Sequence, residues 1–195
     1  MRAVLAKILF QTGVLNHFSL ISRLFGNLFY RQPTDNVLSG VLTWLKQSQL
    51  SEVWPLSEDV ESNKALAALQ MPIDLEVLAQ EYQKLFGEKG TVATQISAYD
   101  ISVDNFDNFR QVRNLPPSDT IDHFAMLLLT ASWLEDNADS LSAQQELFEH
   151  FLLPCAAKFL NKVEQSAGLP FYRSLAYLTR EILSAMADEL DAVEL

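Results

Sequence analysis

The sequence predicts an all-α fold, a single-domain helical bundle, and three observations carry that expectation. Apolar residues recur at helical spacing along almost the whole chain. No segment alternates apolar and polar residues as a half-buried strand would. The prolines fall between the periodic segments, Pro154 excepted. The 195 residues suffice for one domain with a real core and are too few for two comfortable ones, so 1–195 is read as one unit.

Met1-Arg2 followed by Ala3 to Leu15 is similar to a signal peptide, but Lys7 interrupts the apolar run and no small-x-small site follows. Val4, Leu5, Ile8 and Leu9 fit one face of a helix, so residues 1–15 are expected to form an N-terminal extension helix. No apolar run reaches the ~18 residues of a membrane span. Phe18, Ile21, Leu24, Phe25, Leu28 and Phe29 form the next stripe, which Asn16 could cap and Pro33 ends. Thr34 can cap a helix with the stripe Val37, Leu38, Val41, Leu42 and Leu45. Trp54-Pro55 marks a loop, and Ser57 opens a short helix towards Leu69. Pro72 sits at a helix start, with Leu75, Leu78, Ala79, Tyr82, Leu85 and Phe86 on the buried face.

Gly87 to Ile101 reads as a long irregular stretch, and Phe106 and Phe109 suggest a brief helix after it. Beyond Pro116-Pro117-Ser118 a long helix is expected, with Asp122 and His123 in its first turn and Ile121, Phe124, Ala125, Leu128, Leu129 and Trp133 inward. Ser142 to Gln145 has the spacing of a capping box. Pro154 removes one backbone bond and should kink or split the helix it meets. Gly168 and Pro170 stop one helix and start the last, which carries Phe171, Leu175, Leu178, Ile182 and Met186 inward.

The net charge of −11 repels phosphate backbones and sets nucleic acid aside as a partner. It favours cationic partners and solubility. The single Cys155 permits no internal disulfide, and its apolar segment fits a buried, inert thiol in a reducing compartment. His17, His123 and His150 fall in no metal-ligand spacing, so no metal and no cofactor is expected. Gly87-Glu88-Lys89-Gly90-Thr91 is faintly similar to a phosphate loop, but a helix precedes it and Lys89 stands on the wrong side of Gly90. Asp122 can accept from a cationic ligand. No serine or cysteine nucleophile stands beside Asp122 and His123 in a known local signature, which argues against catalysis.

Five segments, in order, resemble one family. They are Ser22-Arg23-Leu24-Phe25-Gly26-Asn27-Leu28-Phe29-Tyr30, Glu81-Tyr82-Gln83-Lys84-Leu85-Phe86-Gly87, Asp122-His123-Phe124-Ala125 with Ala131-Ser132-Trp133-Leu134, Phe151-Leu152-Leu153-Pro154 with Phe159-Leu160, and Ala167-Gly168-Leu169-Pro170-Phe171-Tyr172-Arg173. Together they resemble the TorD/DmsD chaperones, closest to the DmsD type. The resemblance implies an all-helical, cytoplasmic protein that catalyses nothing. Such a protein holds the twin-arginine leader peptide, and sometimes the apo form, of a molybdopterin oxidoreductase of the dimethyl-sulfoxide-reductase class until export. Tat translocase components are a further implied partner. The family's peptide-binding positions fall on Tyr82, Leu85, Phe86, Ser97, Tyr99, Pro117, Asp122 and His123. They imply an apolar groove lined by Tyr82, Leu85, Phe86 and Tyr99, with Asp122 and His123 at its rim.

The sequence also departs from that family. Gly87-Glu88-Lys89-Gly90 replaces a Pro-rich, Trp-bearing loop, the stretch from Tyr99 to Asp122 is short, and Phe151 and Cys155 stand where His and Trp are common. Two alternatives stay open: an all-α regulatory or scaffold protein, and a nucleotide hydrolase using Asp122 and His123. Monomer and dimer are both compatible with the sequence.

Overall fold

The computed structural model describes residues 17–137 and 141–192. The expected extension helix over 1–15 and the Asn16 cap lie outside them. The described helices are α1 (Phe18–Tyr30), α2 (Asn36–Lys46), α3 (Gln49–Val53), α4 (Val60–Gln70), α5 (Leu75–Phe86), α6 (Val103–Gln111), α7 (Phe124–Asn137), α8 (Leu141–Leu147), α9 (Leu153–Ser166) and α10 (Pro170–Ala192). A 3₁₀ turn, Ile96–Tyr99, interrupts the long loop after α5, and a π turn, Phe148–Leu152, joins α8 to α9. The described residues contain no strand, and no helix among them is long and apolar enough to cross a membrane.

α7 is the central helix. Phe124 to Leu128, Thr130 to Ser132 and Leu134 are all buried, so apolar packing surrounds it rather than lining one stripe. α1 lies along it more closely than any other pair. Gly26 permits this approach, because a Cβ there would meet Leu129 at 3.1 Å. Polar side chains rivet the outer edge of the pair. The Ser19 and Ser132 hydroxyls meet at 3.0 Å, and Arg23 reaches Ser132 and Asp136. α10 packs against α4 on one side and α9 on the other.

Three helices begin later than the sequence suggests, and each begins under an aspartate. Asp35, not Thr34, accepts from Val37 N–H at 2.9 Å and starts α2. Asp59, not Ser57, accepts from Ser62 N–H at 2.7 Å and starts α4. Asp74, two residues beyond Pro72, accepts from Glu76 and Val77 N–H and starts α5. A carboxylate adds a favourable interaction with the helix dipole to the capping bond, so it outcompetes a nearby hydroxyl. Val37 is 58% exposed and Leu75 is 42% exposed, so the expected stripes of α2 and α5 are each one residue too wide. Ser142 lies inside α8 rather than capping it, and Gln145 Nε2 donates across to the Leu190 carbonyl.

Pro154 acts as expected. Having no N–H, it leaves the His150 carbonyl without its usual partner, and the backbone widens into the π turn. Cys155 follows, fully buried, with its thiol pushed up to about 12 by burial.

Glu81 joins two of the segments that resemble the family, its own and Ala167 to Arg173. Its carboxylate lies 7% exposed on α5 and accepts from the Gly168 and Leu169 amides, which open α10. A charged acceptor on two amides is the stronger kind of hydrogen bond. Glu81→Ala should therefore lower unfolding stability by about 1.5–3 kcal/mol in urea titration, with Glu81→Gln costing less. Cys155 should react with a thiol reagent far more slowly in the native protein than in urea, since burial and a raised pKa both suppress the thiolate.

Candidate functional site

The loop after α5 folds back onto that helix. Gly87 N–H donates to Gln83 O, Gly90 N–H to Gly87 O, Thr91 N–H to Lys84 O, and Val92 N–H to Leu85 O. A Cβ at Gly90 would fall 2.7 Å from the Leu85 carbonyl carbon, so only glycine allows so tight a return. These amides cap the helix end and are not turned outward to a phosphate, which accounts for both glycines without a nucleotide.

The 3₁₀ turn is then stitched to the lead-in of α7. Ser97 donates its amide to Asp122 Oδ1 at 2.9 Å and its hydroxyl to Asp122 Oδ2 at 2.7 Å. Phe124 N–H donates to the Thr94 carbonyl at 2.8 Å. Asp122 and His123 precede α7 rather than forming its first turn, and Asp122 braces the loop instead of capping the helix. His123 takes the capping role: Nδ1 accepts from Ala125 N–H at 3.0 Å. That bond puts the neutral ring's proton on Nε2. Burial pushes the His123 pKa down to about 4 against the opposing pull of Asp122, so the ring is neutral at pH 7.

Tyr30, at the end of α1, packs edge-on against His123 at 5.2 Å and donates to Thr120 at 3.2 Å. Its backbone carbonyl accepts from the Tyr82 hydroxyl at 2.9 Å. The structure thus brings Ser97, Asp122 and His123 into one cluster and links Tyr82 to it through Tyr30. Tyr30 was missed as a site residue, although it closes the opening segment that resembles the family.

The groove expected from Tyr82, Leu85, Phe86 and Tyr99 is closed in this structure. All four are buried, with Leu85 fully enclosed. Phe86 packs against Tyr82, Tyr172, Phe29 and Phe159, and Tyr99 packs edge-on against Phe159 at 6.0 Å. The same apolar character that suits these side chains to a ligand suits them to the core, and intramolecular neighbours take them up. Lys158 and Lys162 flank Tyr99. Lys158 Nζ reaches the Tyr99 carbonyl at 3.4 Å, and Lys162 Nζ lies 5.0 Å over its ring. Their i, i+4 spacing was the available sequence signal.

Pro117 stands apart from the cluster, exposed at the edge of a cleft of about 550 Å³ between α6 and the Pro116–Asp119 break. Arg110 lines that cleft while only 5% exposed. It donates to Thr130 at 3.0 Å and to the Pro116 carbonyl at 2.6 Å, tying the break to α6 and α7. Of the histidines, His17 and His150 are exposed. No group of three metal-ligating side chains occurs among the described residues.

No family model matches the chain. An uncharacterized protein of Haemophilus influenzae is 66% identical over 91% of this chain and 96% of its own. The chaperone protein YcdY of Escherichia coli K12 is 39% identical over 91% of this chain and 97% of its own. The Tat proofreading chaperone DmsD of Salmonella typhi is 28% identical over 89% of this chain and 90% of its own. The class is therefore that of all-helical chaperones. Within it, the chain belongs to the TorD/DmsD family.

The neutral His123 has a consequence for stability. An exposed imidazole gains its proton near pH 6.5, whereas the folded protein resists until about pH 4. Between those values protonation favours the unfolded chain, so stability falls as the pH drops through that window. His123→Asn keeps an acceptor for Ala125 N–H and removes the titration. Its melting temperature should decline less than the wild type's between pH 6.5 and pH 4.

Proposed function

We propose that this chaperone holds the twin-arginine leader of a molybdopterin oxidoreductase in the cytoplasm, delaying export until the enzyme is mature, and that it turns nothing over. The supporting observation is the cluster of Ser97, Asp122 and His123, set over aromatic side chains at positions that match the family's peptide-binding segments. The DmsD relatives are named for Tat proofreading. Because Tyr82, Leu85, Phe86 and Tyr99 are buried in the free protein, the leader meets the edge at Ser97, Asp122 and His123 first, and reaches the aromatics only as the loop opens. Asp122 then exchanges its bonds with Ser97 for a cationic partner.

Magnitudes indicate which part of the leader dominates. An exposed ion pair contributes about 0.2–1 kcal/mol, so two arginines supply about 0.4–2 kcal/mol. Each leucine-sized side chain that is buried contributes about 1.5–3 kcal/mol. Three or four of these outweigh the arginines after ordering of a disordered peptide costs about 2–5 kcal/mol. Affinity therefore rests on the apolar region, and the arginines give specificity and speed of encounter.

A second reading, in which the client carries no such leader, is favoured by one observation. The relative at 39% identity is named only as a chaperone, while those named for Tat proofreading stand at 27–28%.

Calorimetry with three peptides tests the proposal: a native leader, its Arg-Arg to Lys-Lys variant, and one with apolar residues changed to Ser. The Ser-substituted peptide should lose most of its affinity and the Lys-Lys peptide much less. Replacing both Asp122 and His123 by Ala should weaken binding of the native leader. If the native leader does not bind, the leader-free reading stands. A greater loss with Lys-Lys than with Ser would move the site to an acidic face.

A further inference from the structure

The 3₁₀ turn Ile96–Tyr99 lies over the aromatic cluster and is held from two sides. On one side Ser97 bonds to Asp122. On the other, Lys158 of α9 reaches across to the residues that end the turn. Its Nζ lies 2.6 Å from the Asp100 carboxylate and 3.4 Å from the Tyr99 carbonyl. Asp100 and Lys158 stand 58 positions apart, so their pair fastens the loop to a helix rather than bracing one helix internally.

This second clasp is built to be loose. The Asp100 side chain is 88% exposed and that of Lys158 51%, and pairs so exposed contribute little and weaken in salt. Asp100 also has a left-handed backbone, with φ at 67°, which a residue other than glycine keeps only where its surroundings hold it there. The bond from Lys158 lowers the Asp100 pKa, so the pair is charged at pH 7.

What the turn covers gives the clasp its consequence. Ile96 and Tyr99 are buried beneath it. Tyr99 packs edge-on against Phe159, which in turn stacks on Phe86 and Phe124. Cys155, three residues before Lys158 on α9, is fully buried and feels the charges of both Lys158 and Asp122. Its thiol therefore lies behind the turn, between the two clasps.

We propose that the Asp100–Lys158 pair is the latch of the candidate site. While it is formed the turn stays down and the aromatics are covered. When it breaks the turn lifts in a local opening, and Phe86, Phe159 and Tyr99 become available to an apolar peptide segment. A site that must open binds with its intrinsic affinity reduced by the open fraction, so loosening the latch strengthens binding by the factor by which it increases opening. The latch stands on geometry alone, and its effect on affinity rests on the leader reading.

Thiol labelling of Cys155 in the full chain reads the opening without any ligand. D100N keeps a residue that tolerates left-handed backbone, and K158M keeps the apolar stem. Each should label about two- to fivefold faster than wild type, with global stability in urea falling by less than that factor. K158M should show the smaller rise, since Lys158 also favours the Cys155 thiolate. Raising salt from about 50 mM to about 500 mM should accelerate wild type and leave D100N nearly unchanged. In calorimetry a native leader should bind both variants more tightly, whereas charge alone would tighten K158M and weaken D100N towards a cationic peptide. The latch falls if D100N labels at the wild-type rate, or if faster labelling only tracks an equal loss of global stability. Its control of binding falls if the leader binds wild type and D100N fails to bind it more tightly. Faster labelling with no leader binding to any form removes the leader proposal alone.

Discussion

Phe29 of α1 and Phe159 of α9 meet edge-on at 5.3 Å, and Phe124 of α7 stacks on Phe159 at 4.0 Å. Phe86 of α5, Tyr172 of α10 and Tyr99 of the 3₁₀ turn close around them. This one cluster touches every element that builds the candidate site. Each aromatic pair contributes about 0.5–1.5 kcal/mol beyond the area it buries. The position of the loop after α5 is therefore a consequence of aromatic packing at its two ends, with the glycine turn and the Ser97–Asp122 bonds setting its path between them.

The polar layer over that cluster is built from groups that serve the backbone. Glu81 opens α10, His123 opens α7, Asp122 holds the 3₁₀ turn, and Arg110 ties down the Pro116 break. Such groups have exact partners, and only where a bond lies at the surface does exchanging one partner for a ligand cost little more than the bond replaced. Asp122 is the clearest case, because its bonds to Ser97 lie at the surface, where water or a cationic ligand can replace them. Glu81 and Arg110 are buried and have no such freedom. The cluster therefore divides into a fixed inner part and an exchangeable edge.

Much of the fold was legible in the residues. The stripes of α1 and α10 are all buried as their period requires, and Pro154, Gly168 and Pro170 break the chain where they should. These are local matters, decided by spacing and by the missing proline N–H. The helix starts at Asp35, Asp59 and Asp74 were misplaced because hydroxyl, proline and carboxylate signals stood within two residues of one another, and only the bonds formed distinguish them.

The site was legible in part. Ser97, Asp122 and His123 do come together, but whether Tyr82, Leu85, Phe86 and Tyr99 line a groove or fill a core depends on what faces them. Phe29, Phe124, Phe159 and Tyr172 face them, from four helices distant in sequence. Helical class, breaks and apolar stripes follow from residues within a few positions of each other. The closed aromatic cluster and the neutral state of His123 arise from distant segments brought together by packing, and tertiary structure alone decided them.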